Sequence, residues 1–293
     1  MIKKLSIFAV AWLVAWNCSL VKEDRTSCSF TAPVNVNLSG FSVSQEDLHG
    51  TKATSTPESY SGVNAVTLAF YQGNTEVYKC TQLQDDATTY STFGSFNLSL
   101  RMGSYTMVAV AYTTKNGSTF VLTRPTLAAY TGDHAYETFT CTQSVEIEDT
   151  APVDVSATLD RIVTMLSVIS TDGKTANATN VRMTFSAGGK SFNPTTGLAT
   201  VNTGFINTVG ISTDVGDPST SSTAFFLLTD EQTLNVTIDV LDASSNVLFS
   251  KLVENVPFKR NRKTKLMGSI YSAVSSGSFL LDTDWIDPVE NSF

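Results

Sequence analysis

The sequence predicts an all-β protein built as two tandem β-sandwich domains, and three observations lead there. Apolar and polar residues alternate in runs such as Val34-Asn35-Val36-Asn37-Leu38 and Leu234 to Val240, and a period of two is that of a strand with one buried face. No stretch sustains a helical period. Charged residues make up only 16% of the chain, well under the ~25% of an average domain, while Ser, Thr and Asn abound. That is the composition of a β-rich extracellular protein.

In chain order, Lys3 and Lys4 precede an apolar run from Leu5 to Trp16 broken only by Ser6. A helix of that length spans roughly 18 Å, short of the ~30 Å hydrocarbon core. The segment therefore reads as an export signal and not a membrane span. With Cys18 directly after it, residues 1–17 resemble a bacterial lipoprotein signal peptide, although Trp16 and Asn17 stand where small residues are usual. In such proteins the cysteine carries acyl chains such as palmitate and becomes the first mature residue. Two chains anchor a protein stably where one does not. The alternative is an ordinary secretory signal followed by a structural cysteine; either way the chain leaves the cytoplasm. Residues 18–28 form a polar tether, and its Lys22-Glu23-Asp24 is similar to the surface-export signals of Bacteroidetes lipoproteins.

An N-terminal domain is expected over residues 29–148. Val34 to Leu38, extended by Phe41 and Val43, reads as its first strand. Residues 44–62 lack periodicity and are rich in breakers, which predicts a flexible loop. Val66, Leu68 and Phe70 share a strand face, and Gln72-Gly73-Asn74 turns the chain back into Val77-Tyr78. Phe96, Leu98 and Leu100 repeat the alternation, and Thr106 to Tyr112 is a continuous apolar run typical of a central strand. Asn116-Gly117 predicts a hairpin whose return strand is Thr119 to Leu122, and Arg124-Pro125-Thr126 is expected to open one helical turn.

The acidic stretch Glu148-Asp149-Thr150-Ala151-Pro152-Val153-Asp154 reads as a linker, so a C-terminal domain is expected over residues 149–293. Val155 to Leu159 and Ile162 to Ile169 are its first strands. Val181, Met183 and Phe185 alternate, Gly188-Gly189 turns toward Phe192, and residues 207–223 are loop-rich. Leu234, Val236, Ile238 and Val240 give the cleanest amphipathic strand, turned at Ser244-Ser245-Asn246 into Val247 to Phe249. Leu266, Gly268 and Ile270 share one face of the last long strand.

Composition excludes some functions. The net charge is −8, whereas a nucleic-acid-binding domain is basic. His49 and His134 belong to no metal-ligand spacing, and there is no nucleophile elbow or phosphate loop. No enzyme and no cofactor are expected. Asp282, Asp284 and Asp287 around Trp285 read as a strand's solvent face, with calcium as the lesser alternative. The cluster Lys259, Arg260, Arg262, Lys263 and Lys265 reads as charges guarding a strand edge, with lipid phosphate or an acidic partner as the alternative. With Cys18 acylated, Cys28, Cys80 and Cys141 remain, enough for one disulfide. Cys80–Cys141 is the favoured pair, although spacing alone does not fix connectivity.

The ending Pro257-Phe258-Lys259-Arg260-Asn261-Arg262-Lys263-Thr264, a strand through Gly268, then Phe279 to Trp285, resembles the C-terminal end of Bacteroidales fimbrillins. Leu159-Asp160-Arg161-Ile162 and Thr51-Lys52-Ala53-Thr54 are similar to segments of the same family. The resemblance, signal included, spans nearly the whole chain. It implies two transthyretin-like sandwiches in a surface pilus subunit involved in cell adhesion. It also implies lipidation at Cys18, cutting between Lys52 and Ala53, and assembly with other fimbrial subunits by β-strand exchange. Ile286, Val289 and Phe293 would be the apolar residues of a donor tail. A fimbrial anchor that keeps its outer-membrane lipid, or a glycan-binding outer-membrane lipoprotein, are the alternatives. Host or bacterial surface ligands are further partners on any of these readings.

Overall fold

The computed structural model describes residues 30–43, 53–55, 60–86, 88, 90–115, 119–272 and 279–282. Among them every regular element is a strand. β1 (Thr31–Val43) buries Ala32, Val34, Val36 and Leu38 and turns Thr31, Pro33, Asn35 and Asn37 outward. A register shift between Leu38 and Gly40 is a β-bulge. The extra residue reverses the parity, so Phe41 also faces inward. β2 (Ala53–Ser55) lies within the stretch expected to be a loop and pairs with the end of β1, Val43 opposite Ala53. Three backbone pairs need no side-chain pattern, which is why the sequence does not announce them.

β3 (Ala65–Gln72) and β4 (Thr75–Leu83) form the expected hairpin, in which Gly73 supplies the positive φ of 60°. β5 (Ser95–Arg101) and β6 (Gly103–Tyr112) follow, then β7 (Phe120–Arg124) and β8 (Leu127–Tyr130), then β9 (Thr138–Ile147) and β10 (Val153–Arg161). Eight of these strands form one sheet in the order β2-β1-β10-β9-β6-β3-β4, with β5 also on β1. The sheet folds over on itself because β9 and β10 share only the pairs Asp160–Thr140 and Arg161–Phe139. The two halves face each other across a core that includes Val36, Phe41, Leu68, Phe70, Met107, Phe139 and Leu159. On the open side Gln82 bridges them, donating to the Ser95 carbonyl and accepting from the Gly94 amide, both at 2.7 Å.

The division expected at residue 149 assigns β10 to the C-terminal half. In the structure β10 runs parallel to β1 from Val34–Val153 to Ser42–Asp160 and buries Val155, Ala157 and Leu159 in the first core. A parallel partner lies far away in sequence and leaves no local mark.

The second half comprises β11 (Thr164–Ser170), β12 (Asn180–Phe185), β13 (Ser191–Asn193), β14 (Leu198–Ala199), β15 (Phe205–Gly210) and β16 (Thr220–Phe225). β17 (Glu231–Leu241), β18 (Val247–Lys259), β19 (Lys263–Gly268) and β20 (Leu280–Asp282) complete it. Sheets β16-β11-β19-β20 and β15-β12-β17-β18 enclose a core that contains Leu234, Val236, Ile238 and Val240, all expected from the alternation. The β17–β18 turn is held by Asp242, whose Oδ1 accepts from the amides of Ser244 at 2.9 Å and Asn246 at 2.8 Å. Like β1 with β10, the first strand of this half, β11, pairs in parallel with a late one, β19.

A third core joins the halves. β14-β13-β8-β7 is a small sheet with one hairpin from each half, linked through Ser191–Ala129 and Phe192–Ala128. It covers the outer face of β3 and β6, and the shared core contains Tyr71, Val108, Tyr130, Phe192 and Phe226. Phe192 and Phe226 have ring centroids 4.4 Å apart. Both faces of β6 are therefore buried, which accounts for its unbroken apolar run. Two expectations are corrected here. The strand over 119–122 does not return along β6 but pairs with β8, and Pro125-Thr126 turns that hairpin instead of opening a helical turn. Asn116-Gly117 lies outside the described residues.

Candidate functional site

β1 is the element whose surroundings most resemble a site. β5 and β2 share one of its edges, and β10 takes the other. Without β1, β5 and β10 would each lose a ladder of backbone hydrogen bonds, and the core would open. Val34, Val36, Leu38 and Phe41 are at most 2% exposed. At ~1.5–3 kcal/mol for each buried side chain they stabilise the sandwich by on the order of 6–12 kcal/mol.

A buried polar cluster closes one end of the groove that β1 fills. Odd-numbered residues of β10 point inward, so Arg161 continues the row Val155, Ala157, Leu159 and carries its guanidinium to where β9 and β10 meet. Its side chain is 0% exposed, and Nη2 lies 2.6 Å from Glu137 Oε1. Nη2 also donates to the Tyr60 hydroxyl at 2.6 Å, and that hydroxyl donates to Glu137 Oε1. The ring centroids of Phe139 and Tyr60 lie 5.1 and 5.9 Å from the guanidinium carbon. Burial first, then the neighbouring Glu137 charge, hold the Tyr60 phenol protonated well above its ordinary range. Asn261, with φ of 58° in the β18–β19 turn, brings its Oδ1 to 3.4 Å from Arg161 Nη1. The cluster thus touches both halves. The sequence offered one signal for it, a charge at an inward position of a strand.

Beside the cluster lies a cleft of about 760 Å³ between β9, β10 and the second half. On its rim Lys259 pairs with Glu231 at 2.6 Å and Arg260 with Asp230 at 3.0 Å. Arg260 Nη1 also donates to the Thr196 carbonyl at 2.8 Å. Those two members of the basic cluster therefore tie a turn to its neighbours. Lys259 holds the Glu231 carboxyl below its usual range.

The residues expected to matter are mostly not where side chains can be described. Cys18, Lys52, Ile286, Val289 and Phe293 lie outside the described residues, as do Asp284, Trp285 and Asp287. Ala53 is the first residue of β2. His134 is half-buried with its ring 6.0 Å from that of Tyr136. Among the described residues no group of three His, Cys, Asp or Glu side chains could hold a metal ion.

The expected Cys80–Cys141 disulfide is not formed. Cys80 on β4 faces Leu68 on β3, which faces Ala109 on β6, which faces Cys141 on β9. Three strand spacings put the two cysteines about 14 Å apart, twice the reach of a disulfide. Burial, with the Asp160 charge adding to it, raises the Cys141 thiol pKa, so less thiolate is present at a given pH. Maleimide labelling of the unfolded chain without reductant is expected to modify both cysteines. In the folded chain Cys141 is expected to react more slowly than a free thiol at pH 8. A Cys80–Cys141 cross-linked peptide in the unreduced digest would refute this.

Fold and site together define a class of protein. Among the described residues it is all-β, with two sandwich-like halves sharing a core, and its candidate site is the groove that β1 fills. The chain belongs to the family of unknown function DUF6562, whose model matches residues 31–292. No curated protein matches it in sequence. Among solved structures it is similar to a candidate adhesin from Bacteroides ovatus, with TM-score 0.51 and 11% identity over 80% of this chain and 88% of that one. A candidate polysaccharide-binding protein from Bacteroides thetaiotaomicron gives TM-score 0.51 and 10% identity over 86% and 95%. The fimbrial anchor protein Mfa2 from Porphyromonas gingivalis gives TM-score 0.46 and 14% identity over 86% and 97%.

Proposed function

We propose that this chain is a structural subunit of a Bacteroidetes-type surface fimbrium, assembled with other subunits by β-strand exchange and serving cell adhesion. The observation that carries the reading is the place of β1. It is a central strand that fills an apolar groove, and Lys52 follows it in the sequence just before β2. Cutting between Lys52 and Ala53 would free the lipid at Cys18, the tether and β1 together, and the tail bearing Ile286, Val289 and Phe293 is the candidate donor. In this reading signal 1–17 and tether 18–28 precede two transthyretin-like sandwiches. Their expected division at residue 149 falls in the connection between β9 and β10.

One observation favours the anchor alternative. Ala53 is paired with Val43 in β2, so a protease must first unpair the residue that follows its scissile bond. An uncut chain keeps β1 in its groove and its lipid in the outer membrane. N-terminal sequencing of surface-extracted protein separates the two: a start at Ala53 is expected for a polymerising subunit, and a blocked start at Cys18 leaves the anchor. Retention on a glycan column with neither assembly nor cutting would favour the glycan-binding lipoprotein.

A further inference from the structure

We propose that the pocket holding Phe41 is the selectivity site of the β1 groove. It takes an aromatic side chain from whichever strand occupies the groove, because that ring completes the packing over the Arg161–Glu137 ion pair. This rests on the strand-exchange reading and adds the chemistry of the partner. The partner is an extended segment with apolar residues at four alternate positions, then an aromatic residue that reaches the place opposite Leu159.

The imprint of β1 sets that pattern. Ala32, Val34, Val36 and Leu38 point inward, and the shift between Leu38 and Gly40 brings Phe41 inward as well. Because β10 alternates strictly, a strand without the bulge would bring the second residue after the Leu38 position, and not the third, opposite Leu159. The first four positions are small or aliphatic and are read by buried area alone. Phe41 meets something different. Its ring centroid is 4.6 Å from Phe139 and 5.5 Å from Tyr60, edge-on to the latter. Those are the two rings that flank the Arg161 guanidinium. Tyr60 is in turn bonded to both members of the ion pair. Phe41, Phe139 and Tyr60 are 0%, 0% and 4% exposed, so the three rings form the dry wall of a buried charge pair. Leucine would fill much of the volume but would lose both ring contacts. It would also leave a gap through which water reaches a pair that is stable only while its surroundings are complete.

The test uses the full chain with a specific protease site placed between residues 44 and 50, folded and then cut, so that β1 stays in place without a covalent link. Labelled 13-residue peptides spanning Thr31 to Val43 are exchanged in at mild urea, and Kd is measured by polarisation. The wild-type peptide is expected to bind, with the Phe41→Leu peptide about tenfold or more weaker and Phe41→Ala weaker still. In a chain carrying Arg161→Met with Glu137→Leu, the Phe-over-Leu ratio is expected to shrink severalfold. If that chain does not fold, Glu137→Gln, which removes the charge pair and keeps the side chain's shape, serves in its place. Equal Kd for the Phe and Leu peptides would overturn the selectivity site and leave strand exchange standing. An undiminished ratio in the variant chain would overturn the role of the ion pair. If no peptide enters, the strand-exchange reading falls and takes this proposal with it.

Discussion

Replacing Arg161 with alanine will destabilise the chain by about 3–5 kcal/mol, because it strands Glu137 in a site built for an ion pair. For a chain of this size that is a fall in Tm of roughly 10 °C. The geometry makes the cost large: the Arg161 side chain is 0% exposed and Glu137 is 20% exposed. Tyr60 would also lose the guanidinium that donates to its hydroxyl. Replacing both charges, Arg161→Met with Glu137→Leu, is expected to recover most of the loss, since an apolar pair of similar volume needs no compensation. Urea melts of the four chains in the cycle measure the coupling directly. A loss below about 1 kcal/mol for Arg161→Ala would mean that water already reaches the pair.

A fragment comprising residues 150–293 will not fold into a cooperative domain. It carries β10 without β1, leaving Val155, Ala157 and Leu159 with no sheet to cover them. It also carries Phe192 and Phe226 without Tyr71, Val108 and Tyr130, their partners in the shared core. The complementary fragment 29–148 fares no better, since β1 loses its parallel neighbour. Dye binding to exposed apolar surface, with poorly dispersed amide resonances, is the expected outcome for both. A sharp urea transition in either fragment alone would contradict the shared core.

The strand rhythm was largely legible in the sequence. Leu234 to Val240, Val181 to Phe185 and Val34 to Leu38 each bury the residues that alternation selects, because a two-residue period is a local property of the chain. What stayed hidden was pairing. β10 reads as the first strand of a new domain because Pro152 and two acids precede it, yet its partner lies at the other end of the first sandwich. Cys80 and Cys141 share a half but stand on the two outermost strands of one four-strand row, and spacing cannot reveal that. The hairpin over residues 120–130 was misplaced for the same reason: its cover comes from residues 191–199. Of the site, the apolar strand β1 was evident, while the partners of Arg161 were not. Tyr60 sits in a stretch that looks like open loop, and Glu137 lies just outside a strand.

Each sandwich joins an early strand to a late one in parallel, and this sets the order in which the molecule can come into being. Asn35 and Asp154, hydrogen-bonded at 2.7 Å, are separated by 119 positions along the chain. Contacts of such high order form slowly, because a long closure must be made before any of it is rewarded. As the polypeptide is synthesised, β1 precedes its parallel partner, and that edge stays unpaired until β10 has followed. For that interval the unpaired edge is exposed to other chains, which makes aggregation a competing outcome of folding.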